Sequence, residues 1–149
     1  MTLENLSKIG QLKAHETDPA EIGRLLEAAQ RNLNDSSVES ISLETRFDAA
    51  YKAITQSALA ALVANGYRPD TNRPGHHMTV VQSLTKTIGL PGERVTVLDA
   101  LRRKRNLSDY TGENIDEVST ENCIKAAEQM LAEVTDWLKA SRPDLIDDA

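Results

Sequence analysis

The chain has one cysteine, Cys123, in 149 residues. That excludes an internal disulfide and any cysteine-based metal cluster, and it is the usage of a reducing compartment. Aromatic residues make up only 3 %, so the core must be built from Leu, Ile, Val and Ala, as in helix bundles, and strands are not expected. No apolar run approaches the roughly 20 residues needed to cross a bilayer, and the N-terminus lacks a charged start followed by a hydrophobic segment. No membrane association and a cytoplasmic location are therefore expected. There is no phosphate-cradling glycine loop and no nucleophile flanked by a recognisable base. An excess of cations is missing too. At a net charge of −6 the chain cannot be a general nucleic-acid coat, which needs Lys and Arg to displace counterions from phosphates, so any anion site must be local. The three histidines are His15, His76 and His77. The last two are adjacent and diverge on a helix, with no carboxylate or cysteine at i+4, so neither a metal nor another cofactor is expected.

What is present is helical periodicity. A chain of this length is one domain by size and buries about two thirds of its unfolded surface. Leu3, Leu6, Ile9 and Leu12 recur every third residue behind Thr2, which predicts a short docking helix over residues 3–14. Asp18-Pro19-Ala20-Glu21 supplies a cap, a proline at the first helical position and an acid in the first turn, followed by Ile22, Leu25, Leu26, Ala29 and Leu33. From Leu43 an apolar stripe through Phe47, Tyr51, Ile54, Ala58 and Leu62 predicts a central helix, stopped at Asn65-Gly66. Its many alanines suit a bundle interior or a subunit interface. Residues 67–75 carry Pro69, Pro74 and Gly75 and read as a loop. His76 and His77 then begin a helix with Met78, Val81, Leu84 and Ile88 inward. Their bland role is packing and solvation. The sharper one is an anion site at a helix start. Ser119 is the expected cap of the last helix, whose stripe is Ile124, Ala127, Leu131, Val134 and Leu138, with Cys123 a packed thiol. The expected architecture is an all-α bundle of five or six helices in a single domain over residues 1–141, with 142–149 a frayed acidic tail.

One stretch carries chemistry. Residues 98–112 set Arg102, Arg103, Lys104 and Arg105 inside a helical pattern ending at Gly112. At about 100° per residue Val97, Leu98 and Leu101 share a face, and Arg105 falls within roughly 40° of its centre. A guanidinium on an apolar stripe needs an acid, a carbonyl, a partner subunit or an anionic ligand. Asp109, one turn on, is the nearest acid in sequence. For Arg102, Arg103 and Lys104 a solvated helix end near the negative dipole terminus is sufficient explanation.

This Arg105-Asn106-x-x-x-Tyr110 arrangement, late in an all-helical chain, resembles the HEPN family (higher eukaryotes and prokaryotes nucleotide-binding domain) over about residues 42 to 140. Members of that family are compact helical bundles, commonly dimeric, and many are metal-independent endoribonucleases with an Arg-x4-6-His motif. The resemblance implies a homodimer that binds RNA or a nucleotide. Arg105, Asn106 and Tyr110 would stand at the catalytic positions, and Arg102, Arg103, Lys104, His76 and His77 would be available to the anion. The chain departs from the motif at Tyr110, where the family has histidine. A phenol with a reference pKa near 10 is a poorer proton acceptor at neutral pH than an imidazole near 6.5. The alternative is a non-enzymatic module that docks a protein partner, for instance a nucleotidyltransferase in a toxin–antitoxin-like pair.

Overall fold

The computed structural model describes residues 2–146. Its centre is helix α3 (Leu43–Ala64), which packs against α2 (Pro19–Ser36) on one side and α7 (Glu117–Ser141) on the other. Serine 42 starts α3 by accepting a hydrogen bond from the Thr45 amide at 3.1 Å. Asn65 and Gly66 end it, with Gly66 at φ +88° where a side chain would be strained. Phe47, Tyr51, Ile54 and Leu62 are fully buried, each contributing about 2 kcal/mol relative to exposure. The alanines at 50, 53, 58, 60, 61 and 64 are buried as well. Small side chains on several faces let both neighbouring helices approach closely, so the bundle interior itself uses most of the alanine surplus.

The flanking helices follow their sequence signals. Asp18 caps α2 by accepting from the Ala20 amide at 3.0 Å, with Pro19 in the first turn, and Ile22, Ala29 and Leu33 face inward. Helix α7 buries Cys123, Ala127, Met130, Val134 and Leu138. Its cap is Asp116, whose carboxylate accepts from both the amide and the hydroxyl of Ser119. The expected cap, Ser119, is thus the donor in the capping pair, because Asp116 lies one turn earlier where free amides still need an acceptor.

Among the described residues there are six helices of six residues or more, together with α5, a single turn. This is the all-α bundle expected. It differs from expectation in four places. The first segment is only α1 (Leu3–Lys8), because Gly10 at φ +81° reverses the chain. Leu12–Ala14 then forms β1, which pairs antiparallel with β2 (Tyr67–Pro69), Leu12 opposite Pro69 and Ala14 opposite Tyr67. This ribbon joins segments more than fifty positions apart in the chain, and no local periodicity announces it. Second, Arg73 donates to the carbonyls of Ile9 at 2.6 Å and Gly10 at 3.2 Å, tying the loop before α4 to the turn after α1. Third, the helix begun by His76 breaks at Ser83, whose hydroxyl donates to the Val80 carbonyl, giving α4 (His76–Gln82) and α5 (Leu84–Thr87). Val80, Val81 and Leu84 are its buried apolar residues, while Met78 and Ile88 are half-buried. Finally, the expected acidic tail is packed as far as it is described. Arg142 donates to the Ala64 carbonyl at 2.8 Å and pairs with Asp144, and Leu145 is buried on a 3-10 turn over residues 143–145. Residues 147–149 of that tail lie outside the described residues.

Helix α6 (Gly92–Thr111) sits on α3 and is flanked by α4 and α5. The face it buries is not the one the apolar residues alone suggest. Val97 is 58 % exposed, whereas Val95, Leu98 and Asp99 are buried. The inward face is therefore rotated by roughly one residue step, about 100°, toward Asp99 and Arg102. An acid and an arginine enter together because they neutralise each other.

Candidate anion-binding site

Three elements meet at the inward edge of α6. Arg102 is mostly buried, at 17 % side-chain exposure, and its Nε donates to Asp99 Oδ1 at 2.9 Å. The other oxygen of Asp99 takes Arg103 Nη2 at 2.9 Å. One buried carboxylate thus holds two guanidiniums, one inside and one, at 74 % exposure, outside. Arg102 is consequently not part of a solvated helix end, a role that fits Arg103. Lys104 pairs with the α7 cap Asp116 at 3.3 Å. Asp116 is held low, to about 2, by the hydrogen bonds from the Ser119 side chain and amide and then by Lys104.

Arg105 is mostly buried, at 19 % side-chain exposure, but Asp109 is exposed and is not its partner. Its guanidinium lies 4.8 Å from the centre of the Tyr51 ring on α3. Nη2 donates to Asn106 Oδ1 at 3.2 Å, and Nη1 is 3.9 Å from Asp48. That ion pair is at the outer limit of contact, with Asp48 42 % exposed. Arg105 Nε is buried with no hydrogen-bond partner among the described residues, and so is the Tyr51 hydroxyl. Burial pushes the Tyr51 phenol up to about 12, against the opposing pull of Arg105 and Arg102. Tyr51 therefore serves as a neutral aromatic floor for a cation.

The start of α4 provides the imidazoles. His76 and His77 are stacked with ring centres 4.2 Å apart and planes tilted by 38°. Arg102 Nη2 reaches the sulfur of the next residue, Met78, at 3.9 Å, which fixes this end of α4 against α6. The pKa of His77 is lowered from 6.5, first by partial desolvation, then by His76, Arg105 and Arg102. The fold therefore brings His77 within electrostatic reach of Arg105 and Arg102.

Tyr110 is not brought there. Helix α6 runs unbroken to Thr111, so Tyr110 is about 140° around from Arg105, and it is 90 % exposed. Arg105 and Asn106 are joined directly, Arg102 and Arg105 act on His77, and His76 reaches this group only through His77, with Arg103 and Lys104 on the solvent side. Asp99, Tyr51, Asp48 and Met78 belong to it and were not anticipated. Asp99 was legible as an acid three and four residues ahead of two arginines. Tyr51 and Asp48 come from another helix, and their sequence gives no sign of α6. No family model matches the chain, and no curated protein sequence matches it.

Chemically, four cations face three carboxylates, leaving a small positive excess in an otherwise acidic protein. Two of those carboxylates are committed to specific partners by short contacts, and the third is not. Among the described residues no group of three or more His, Cys, Asp or Glu is arranged to hold a metal ion, and no helix is long and apolar enough to cross a membrane.

Proposed function

We propose that this chain is a HEPN-like cytoplasmic protein that binds RNA or a nucleotide through the local basic cluster at the junction of α4 and α6. The observation that carries the reading is that Arg102 on α6 touches Met78, next in the chain to His77, and that Arg105 and Arg102 both act on the His77 imidazole. It joins, from two helices, the imidazole and guanidinium that the resemblance expects along one. An open groove of about 480 Å³ adjoins the cluster through Met78, lined also by Leu6, Ile9, Pro74, Gly75 and Gln82. Cationic side chains beside a partly apolar groove suit a phosphate with an attached base.

We also propose a homodimer through the outer face of α6. Val97, Ala100, Lys104, Leu107 and Thr111 recur at alternating steps of three and four along that face. Val97 and Leu107 are 58 % and 52 % exposed, the pattern of a seam between two helices. A protein-docking role is the second reading. It is favoured by the exposure of Leu107, Tyr110 and Val118 near the α6–α7 connection.

Fluorescence anisotropy with a short single-stranded RNA tests the first reading. Binding is expected at about 50 mM salt and should weaken steeply as salt rises. Replacing Arg102 and Arg103 by Ala should reduce the salt slope by about one or two phosphates. No binding at low salt, or an unchanged slope, refutes it. A monomer by light scattering at tens of micromolar would refute the dimer.

A further inference from the structure

Gly23 is the one glycine of this chain with no local reason for its place. Five of the seven glycines take positive φ and Gly92 stands at the start of α6, whereas Gly23 lies inside α2. Glycine in a helix interior is less stable than alanine, because it loses more backbone freedom on folding. Packing does not require it either, since a methyl group at Gly23 would meet no neighbouring atom within 4 Å. What the missing side chain leaves is a hollow. Pro19, Ala20, Gly23 and Leu26 on α2 form one wall of an open groove of about 530 Å³, and Leu145 and Ile146 form the other. The second wall is held in place by Arg142, which donates to the Ala64 carbonyl at 2.8 Å and to both carboxylate oxygens of Asp144.

We infer that this groove docks a cationic amphipathic helix of a partner protein. From Pro19 to Glu27 the α2 wall rises about 12 Å, the length of two helical turns. Ala20 and Gly23 let a second helix come close to α2, with its apolar face against Leu26, Leu145 and Ile146. Charge decides which helix. Glu27 and Asp144 line the groove and no cation does. Glu27 is exposed and forms no ion pair among the described residues, and Asp144, although paired with Arg142, is 63 % exposed. Glu16 and Asp18, both exposed, stand just ahead of Pro19, so Lys or Arg on the incoming helix would meet acids at both ends of the α2 wall. A second copy of this chain is the poorer occupant, because two chains of net charge −6 would bring these acids together. The groove shares no residue with the α4–α6 cluster, so docking here is separate from anion binding there.

The probe is a fluorescein-labelled amphipathic peptide of Leu and Lys, about 14 residues or four turns long, with its Leu/Glu counterpart as control. Anisotropy at low salt gives affinity, and amide NMR shifts give the place of binding. Wild type should bind the Leu/Lys peptide with a Kd below about 1 mM, with shifts concentrated at residues 19–27 and 144–146. Gly23→Ala should raise Tm by about 1 to 4 °C and weaken binding a few-fold. Gly23→Leu fills the hollow, and should weaken binding by about tenfold or more while Tm stays at or above that of wild type. Glu27→Lys should weaken binding of the Leu/Lys peptide and flatten its salt dependence. Absence of binding by wild type overturns the assignment, as do equal affinity for the Leu/Glu peptide, shifts centred elsewhere, or unchanged affinity in Gly23→Leu. A fall in Tm for Gly23→Ala would overturn it by giving the glycine a structural reason. Light scattering completes the test: a mass that falls from wild type to Gly23→Leu would assign the groove to a second copy and overturn the cationic partner.

Discussion

Besides the 3.2 Å hydrogen bond to Asn106, replacing Arg105 by alanine removes three interactions of unequal weight. The guanidinium over Tyr51 is a cation–π contact at 4.8 Å, worth about 1 kcal/mol in a half-buried setting. The pair with Asp48 is 3.9 Å long and Asp48 is 42 % exposed, so solvent screening holds it to about 0.5 kcal/mol or less. The aliphatic stem of a side chain only 19 % exposed adds about 1 kcal/mol of apolar burial. Against these, the variant removes a buried Nε that has no acceptor, which returns part of its desolvation cost. The net expectation is a loss of about 2 kcal/mol, or about 4 to 8 °C in Tm for a chain of this size. Urea and thermal unfolding measure it, with Arg105→Met as the companion that keeps the stem and should recover about half. A loss above about 4 kcal/mol would mean that a carboxylate had been stranded in a dry site, as happens when a buried ion pair is broken. That result would refute the reasoning, since water reaches Asp48 as it stands. A loss below about 0.5 kcal/mol would equally refute it, by showing that the guanidinium is not held on Tyr51.

Asp99→Ala should destabilise by about 1 to 3 kcal/mol, because it leaves the mostly buried Arg102 without its acceptor. The same variant frees two guanidiniums, so whatever stable protein remains should bind RNA more tightly than wild type at equal salt, and weaker binding would contradict the anion-site reading. By NMR the His77 ring should titrate below 6.5, and Arg105→Ala should move it up toward that value, because a positive neighbour has gone. The unfolded chain then holds the His77 proton more readily than the folded one. Its contribution to stability is therefore full above 6.5 and is lost as pH falls from 6.5 through the depressed value; stability rising over that window on acidification would exclude the assigned surroundings. Thiol reagents should leave Cys123 untouched in the native protein, where burial pushes the thiol up to about 12, and modify it on unfolding.

The sequence by itself determined the long helices, because their signals are local. Asp18-Pro19 is a cap that acts within one turn, Asn65-Gly66 and Gly112 are stops that act through their own backbone, and the inward stripes of α2 and α3 need only a period of 3.6. It also determined that Arg105 needed a partner, since its angular place on α6 follows from spacing alone. The identity of that partner was a tertiary matter. Asp109 is nearer in the chain, but helix phase turns it to solvent, while Asp48 and Tyr51 reach Arg105 only because α3 and α6 pack together. The rotation of α6 that buries Asp99 in preference to Val97 was settled in the same way, by an acid able to neutralise arginines as they left water. The β1–β2 ribbon and the Arg73 tie position the loop that leads into His76, and both link residues more than fifty apart, a distance over which local pattern carries no information. The histidines and the arginines were each visible in the sequence. That Arg102 and Arg105 act on His77 was decided by the packing of α4 on α6.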